Sequence, residues 1–169
     1  MSGKLIKTDF SLADFNDGKI VRDLVSLNPF TRNHGLIITE EAARYIMSAR
    51  KEALRYNGRV EFKSDAILRL VRAFSASPYI FQNNFHESIG EIIDLFYYIK
   101  NETENRISDD DLISELLEIF NGTCQGEIEL LQSKGLEKIV RRFRMGDEEI
   151  WEDYGDGEED YDYEEDWRE

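Results

Sequence analysis

Six carboxylates of this chain fall into two evenly spaced sets that could hold a divalent cation. Each set has a spacing of four and then three residues, which places its side chains on one face of a helix. The six are Glu87, Glu91, Asp94, Asp111, Glu115 and Glu118. If two such helices face each other, their carboxylates line a groove like those of helix bundles with two-metal centres. One interpretation of the chain is therefore a metal-binding protein or an enzyme that uses these carboxylates.

Centres of that kind also use a histidine three residues after a glutamate, and no such pair occurs in this sequence. The two histidines are His34 and His86, and His86 directly precedes Glu87. Charged helix faces normally point into solvent, which favours solvated surfaces for both stripes. We predict neither a metal site nor a cofactor. A metal-binding protein or enzyme that uses the carboxylates of region 86–118 is the alternative.

Cys124 is the single cysteine and the other residue whose type could do chemistry. A reactive thiol needs a neighbouring cation or a helix N-terminus, whereas free cysteines are among the most buried residues. A buried structural thiol is the favoured interpretation. No phosphate-binding loop, dinucleotide fingerprint or nucleophile elbow occurs. The sequence leans against an enzyme and names no catalytic residue.

Residues 147–169, the acidic tail, hold fourteen of the 36 carboxylates, one cation and both tryptophans. The remaining residues carry twenty basic and twenty-two acidic side chains, so the net charge of −15 is almost entirely a property of the tail. Its few apolar side chains cannot offset the entropy of ordering the backbone, and its like charges repel one another. We predict a disordered tail.

Aromatic residues between the charges favour docking over a purely solubilising role, because a docking segment needs apolar anchors. The candidate anchors are Trp151, Tyr154, Tyr161, Tyr163 and Trp167. Their target is a basic surface, either of another protein or of this protein's own body. Residues 44–72 carry eight basic side chains against three acidic ones. The candidate cations there are Arg44, Arg55, Arg69 and Arg72.

Composition also limits the partners and the location. The net charge of −15 repels phosphate, so nucleic acid is not the expected partner. The chain has no apolar run of about 18 residues and no signal-peptide core. We expect no membrane contact and a cytoplasmic protein, and the single cysteine agrees with a reducing compartment. The sequence leaves a homo-oligomer open.

Helical periodicity dominates the rest of the chain and predicts a mainly α fold, a compact bundle of five to seven short helices. The clearest helices run from Glu40 to about Tyr56 and from Phe85 to about Asn101. Thr39 is a good N-cap, and Ser108 with Asp111 resembles a capping box. We predict one helical domain over residues 1–146, followed by the tail over 147–169.

Two short segments have strand-like patterns. Residues 36–38 are apolar and partly β-branched, and residues 59–62 alternate polar and apolar side chains. These segments are candidates for a two-stranded ribbon that leans on the helices. Near the N-terminus, Asn16-Asp17-Gly18 predicts a break between two short helices, and Asn28-Pro29 predicts the end of the second.

Several strings between residues 28 and 144 resemble a small bacterial family of unknown function, found in anaerobic Gram-positive organisms. They are Asn28-Pro29-Phe30-Thr31, Gly35-Leu36, Thr39-Glu40-Glu41, Gly58-Arg59-Val60-Glu61-Phe62, Ser77-Pro78-Tyr79-Ile80, Phe96-Tyr97-Tyr98, Lys100-Asn101-Glu102 and Cys124-Gln125-Gly126. The resemblance implies no activity, cofactor or catalytic residue, and the acidic tail lies outside it. We therefore expect a non-enzymatic adaptor or regulatory protein whose acidic tail docks on a basic surface.

Overall fold

The computed structural model describes residues 12–145. The acidic tail and its five candidate aromatic anchors lie outside the described residues. The prediction that the tail is disordered therefore also concerns residues outside this range. The described part is mainly helical, as predicted, with six helices of ten residues or more. These are α1 (Leu12–Val25), α3 (Glu40–Tyr56), α4 (Asp65–Ser75), α5 (Phe85–Glu102), α6 (Asp109–Asn121) and α8 (Leu136–Met145).

Short turns of helix join the longer ones. A four-residue helix α2 (Asn28–Thr31) is followed by a 3₁₀ turn at Arg32–His34. The three-residue helix α7 (Ile128–Leu130) continues through a π-helical turn, Leu131–Gly135, into α8. Within residues 12–145, no helix has the length and apolar content needed to cross a membrane.

Helix α5 lies at the centre of the packing. It contacts α3 along much of its length and also touches α4, α7 and α8. Gly90 allows the close approach to α3, because a Cβ there would lie 3.0 Å from the Tyr45 ring. One hydrophobic cluster extends from Ile20 in α1 to Ile139 in α8. The described helices therefore share a single core.

Local sequence signals set the ends of several helices. The Thr39 side chain accepts a hydrogen bond from the Ala42 backbone N–H at 3.1 Å and caps α3. The Ser108 hydroxyl accepts from the Asp111 N–H at 3.2 Å and donates to the Asp111 carboxylate at 2.7 Å. Both predicted caps are confirmed, since they satisfy N–H groups that have no partner within the helix.

The predicted break at Asn16-Asp17-Gly18 is wrong, because α1 passes through it without interruption. Ile20, Val21 and Leu24 are at most 5 % exposed, and this burial outweighs the weak helical preference of the three residues. Asp17 also forms an ion pair with Lys51 of α3, whose Nζ lies 3.1 Å from the Asp17 carboxylate. Pro29 occupies the first turn of α2, where its missing N–H costs nothing.

The candidate ribbon does not form, and residues 12–145 contain no strand. Side-chain amides take the place of a partner strand along 36–38. Asn28 accepts from the Ile38 N–H at 2.7 Å and donates to its carbonyl at 2.9 Å. Gln82 does the same at Ile37, at 2.7 and 3.0 Å. Two amide side chains therefore satisfy the backbone groups that a second strand would have bonded.

Candidate interaction surfaces

The four candidate arginines lie on two helices with different neighbours. Arg44 and Arg55 share a face of α3, eleven residues or about three turns apart. Arg69 and Arg72 belong to α4, which packs chiefly against α6. Arg44 pairs with Glu40 and Arg69 with Asp110, both at 2.6 Å.

Arg72 and Arg55 differ from the two paired arginines. The Arg72 guanidinium lies 4.4 Å from the centre of the Phe30 ring. Within residues 12–145, the Arg55 side chain has no ion pair, hydrogen bond or aromatic stacking partner, and it is exposed. Of the four candidates, Arg55 is the one left available to an anionic ligand by the described residues. Whether the four act together in binding stays a prediction.

The carboxylates of the alternative interpretation do not gather into a site. Glu87, Glu91 and Asp94 are exposed on α5, whereas Glu115 of α6 is half-buried and pairs with Arg142 at 2.5 Å. His86 packs edge-on against Tyr45, with 4.9 Å between ring centres. In the described range 12–145, no three His, Cys, Asp or Glu side chains are grouped closely enough to hold a metal ion.

Cys124 is 1 % exposed and belongs to the hydrophobic core. Burial raises the pKa of its thiol, an effect that the charge of Lys134 opposes and that of Glu127 reinforces. A buried thiol with a raised pKa carries little thiolate at neutral pH and is a weak nucleophile. The structure therefore places Cys124 as a packing residue.

A groove of about 550 Å³ runs between α3, α5 and the start of α8. Its walls include the exposed rings of Tyr56 and Tyr98, the apolar Leu136 and the charged Arg55. A second hollow of about 490 Å³ shares Tyr98 and Leu136 with it and continues along α8. Sequence reasoning did not single out Tyr98 as a binding residue. It follows Phe96 and Tyr97 in one aromatic run, and nothing in the sequence distinguishes the exposed ring from the two buried ones.

The charge of this groove is mixed. Its two parts carry the carboxylates Glu52, Asp94, Glu102 and Glu137, and the cations Arg55, Arg141 and Arg144. Partial burial raises the pKa of Asp94, and the nearby negative charge of Glu52 raises it further. With four acids against three bases, the groove does not favour an acidic occupant such as the tail.

Residues 59–63, a segment without regular secondary structure that we name the open strand, form a different surface. Val60 and Phe62 are 77 % and 85 % exposed, while Arg59 and Glu61 turn toward the protein and are half-buried. The predicted alternation of polar and apolar side chains is present. However, the polar side chains face the protein and the apolar ones face solvent, the reverse of a strand that packs on a hydrophobic core. Val60 and Phe62 therefore place two exposed apolar side chains on one face of this segment.

Buried polar contacts hold the open strand from behind. The Tyr97 hydroxyl, on a side chain 1 % exposed, donates to the Glu61 carboxylate at 2.8 Å. Arg59 pairs with the same carboxylate at 3.2 Å and donates to the Asn105 side chain at 2.5 Å. Burial and the charge of Glu61 raise the pKa of Tyr97 strongly, so its hydroxyl stays protonated as a donor.

Arg50 completes this support. The side chain is 5 % exposed, and its Nη2 donates to the carbonyls of Glu61 and Lys63 at 3.1 and 2.9 Å. Sequence reasoning counted Arg50 only as one more surface cation. The missed signal was its position within the apolar stripe of α3, four residues after Ile46 and three before Ala53. A charged residue in such a stripe must find buried partners.

Comparison with known proteins gives one match. The family model of DUF6323, a family of unknown function, covers residues 23–149, about three quarters of the chain. The chain belongs to this family. No curated protein and no solved structure matches it. The predicted likeness to a family of unknown function is confirmed, whereas the bacterial, Gram-positive origin stays a prediction.

Several strings that carry the resemblance to DUF6323 make structural contacts. Asn28 binds the backbone of Ile38, as described above. The Ser77 hydroxyl donates to the Asn121 side chain at 2.6 Å and accepts from the Tyr79 N–H at 3.3 Å. Residues 58–62 and 96–98 supply the open strand and its support. The DUF6323 match ends at residue 149 and leaves out most of the acidic tail.

Proposed function

We propose that this protein is a non-enzymatic adaptor or regulatory protein that acts by binding another macromolecule. In this proposal the acidic tail docks on a basic surface, either of a partner or of the protein's own body. The observation that carries it is the open strand, an exposed segment that bears Val60, Phe62 and the exposed cation Lys63. Such edges bind extended peptides through their backbones.

The rest of the molecule agrees with a binding role. The chain concentrates its charge and both tryptophans in one segment, whereas its thiol is buried in the core. The single cysteine agrees with a reducing compartment, and we propose a cytoplasmic location. The bacterial origin rests on the resemblance alone.

Photo-cross-linking tests the proposal on the full chain. A photoreactive phenylalanine analogue replaces Trp167, and the matched control carries it at Phe81, an exposed body position outside the tail. After irradiation in cell extract, mass spectrometry identifies the cross-linked peptides. We expect cross-links from position 167 to a cationic surface of the body or of one partner, at several times the yield of the control. Cross-links confined to the tail itself would contradict the proposal.

A further inference from the structure

We infer that residues 160–164 of the acidic tail bind the open strand of their own chain as an added β-strand. The inference rests on the proposed function, and it names the surface and the segment that meet. The segment Asp160-Tyr161-Asp162-Tyr163-Glu164 lies outside the described residues. Its occupancy of the open strand would cover this edge until a competing ligand displaces it.

The backbone of the open strand has one occupied edge and one open edge. The carbonyls of Glu61 and Lys63 both face Arg50. In an extended chain, the polar groups of successive residues point to opposite edges. Those of Val60 and Phe62 therefore point away from Arg50, and they have no hydrogen-bond partner within residues 12–145. An incoming strand would satisfy them.

The exposed side chains match the spacing of the tail segment. Val60 and Phe62 lie two residues apart and share one face of the open strand. Tyr161 and Tyr163 have the same spacing, so an extended segment presents both rings on one face. Other consecutive aromatic residues of the acidic tail are three, four or seven residues apart. Aromatic and β-branched side chains opposite each other stabilise a strand pair.

The charges are complementary as well. The open strand itself carries Arg59 and Lys63 against Glu61, and Arg59 is paired with Glu61. Lys63 is exposed and has no ion-pair partner in the part of the chain that the structure describes. When Tyr161 and Tyr163 lie opposite Phe62 and Val60 in an antiparallel pair, Asp160 lies opposite Lys63 and Glu164 opposite Arg59, while Asp162 lies opposite Glu61. Opposite charges across a strand pair favour the pairing.

The chain is long enough for this contact. Helix α8 ends at Met145, and fourteen residues separate it from Asp160. Fully extended, they span about 46 Å at roughly 3.3 Å per residue. A domain of this size is about 36 Å across, from a radius of gyration near 14 Å. A tethered segment also has a high effective concentration at its site.

A second copy of the chain is a poorer occupant. When two open strands pair antiparallel about Glu61, Arg59 of one copy lies opposite Lys63 of the other. The two Glu61 side chains also face each other. Like charges directly opposite destabilise a strand pair. All three charged pairs are alike when two open strands pair, whereas only the pair of Asp162 with Glu61 is alike when the tail segment pairs.

Disulfide trapping in the full chain tests the contact. The variants combine Phe62→Cys with Tyr161→Cys or with Tyr163→Cys, and the matched controls combine Phe81→Cys with the same tail positions. Native Cys124 is buried and is kept. Circular dichroism checks folding, and Phe62 and Phe81 are both exposed, so we expect native spectra. Oxidation proceeds at about 1 μM protein, and gels without reductant followed by peptide mapping give the rates.

We expect an intramolecular disulfide in at least one Phe62→Cys variant, at about ten times the rate of its control. Equal rates would overturn the inference, because the tail would then visit both positions alike. Disulfide-linked dimers through Phe62→Cys would overturn it in favour of a second copy. Either failure leaves the proposed function standing if Trp167 still cross-links to another basic surface, whereas loss of those cross-links removes the proposed function itself.

Discussion

Asp94 of α5 and Glu52 of α3 are two acids of the same groove, and together they make a pH-dependent contribution to stability. Partial burial and the charge of Glu52 raise the pKa of Asp94 in the folded protein. The folded state therefore favours the protonated acid more than the unfolded state does. It follows that the native protein loses stability as pH rises through the raised pKa of Asp94.

We predict that Asp94→Asn stabilises the protein at pH 7, because the amide removes the like charge beside Glu52. The expected gain in the free energy of unfolding is about a few tenths of a kcal/mol, as befits an exposed pair. It shrinks as pH falls through the raised pKa of Asp94, where that acid itself becomes protonated. Urea unfolding followed by circular dichroism at several pH values measures it, with Glu91→Gln as the exposed control on the same helix. A gain independent of pH would show that ionisation is not the cause.

Arg50 and Lys100 are buried cations that bind backbone carbonyls of extended or looped chain. Lys100 is 6 % exposed, donates to the Ile107 carbonyl at 2.6 Å and pairs with Asp109 at 2.8 Å. Arg50 binds the carbonyls of Glu61 and Lys63. Single side chains thus fix two connecting segments where no strand or helix supplies partners.

Among the elements, the turn after α6 depends on one glycine. Gly126 has φ +81°, a left-handed conformation that side-chain-bearing residues rarely adopt. A Cβ on Gly126 would also lie 2.3 Å from the Tyr79 Cβ. Tyr79 packs edge-on against Phe120 of α6, with 6.3 Å between ring centres. The glycine therefore permits both the turn and the contact between two connecting segments.

We predict that Gly126→Ala lowers the free energy of unfolding by about 3 kcal/mol, from backbone strain and from the clash with Tyr79. The matched control is Gly35→Ala. Gly35 has a similar φ of +75°, but nothing lies within 4 Å of its added Cβ. We expect the control to lose about 1 kcal/mol. Urea denaturation measures both values. Equal losses would show that the clash between the added Cβ and Tyr79 makes no contribution to the loss of stability.

The extended segments show how elements without regular hydrogen bonding are positioned. Leu36 and Ile38 are 1 % exposed and anchor their segment in the core. The open strand buries its polar side instead, through Glu61 and Arg59. Each segment uses side chains from helices or from a turn in place of a neighbouring strand, which explains why the predicted ribbon is absent.

At the scale of the whole molecule, the described helices depend on α5. This helix joins α3 on one side to α4 and α8 on others, and one hydrophobic cluster includes residues of all four. Cys124, which lies in the turn after α6, belongs to the same cluster. A perturbation in α5 should therefore reach every part of the core.

We predict that Ile92→Ala in α5 lowers the free energy of unfolding by about 2–5 kcal/mol, because Ile92 is fully buried and its loss leaves a cavity. Tyr56→Ala is the control. That ring is 86 % exposed, and we expect a change within about 0.5 kcal/mol. Circular dichroism and the reactivity of the Cys124 thiol, followed through one urea titration, should give the same midpoint. Separate midpoints would contradict a single core.

The sequence alone determined the helices, because their apolar spacing and caps are local. The periodicity from Phe85 and the caps at Thr39 and Ser108 predicted α5, α3 and α6 almost to the residue. The acidic tail and the mainly α class also follow from composition. These features need only neighbours within a few residues, which a single sequence shows directly.

Only the tertiary structure decided which faces meet and where polar groups turn inward. The apolar stripe of α3 signals that Arg50 is buried, but no local pattern specifies that it binds the carbonyls of Glu61 and Lys63, or that Tyr97 binds Glu61. Those long-range contacts reversed the open strand and exposed Val60 and Phe62. The packing of α6 against α4 also separated the two carboxylate stripes. Burial depends on the neighbours that packing supplies, and spacing along one chain does not specify those neighbours.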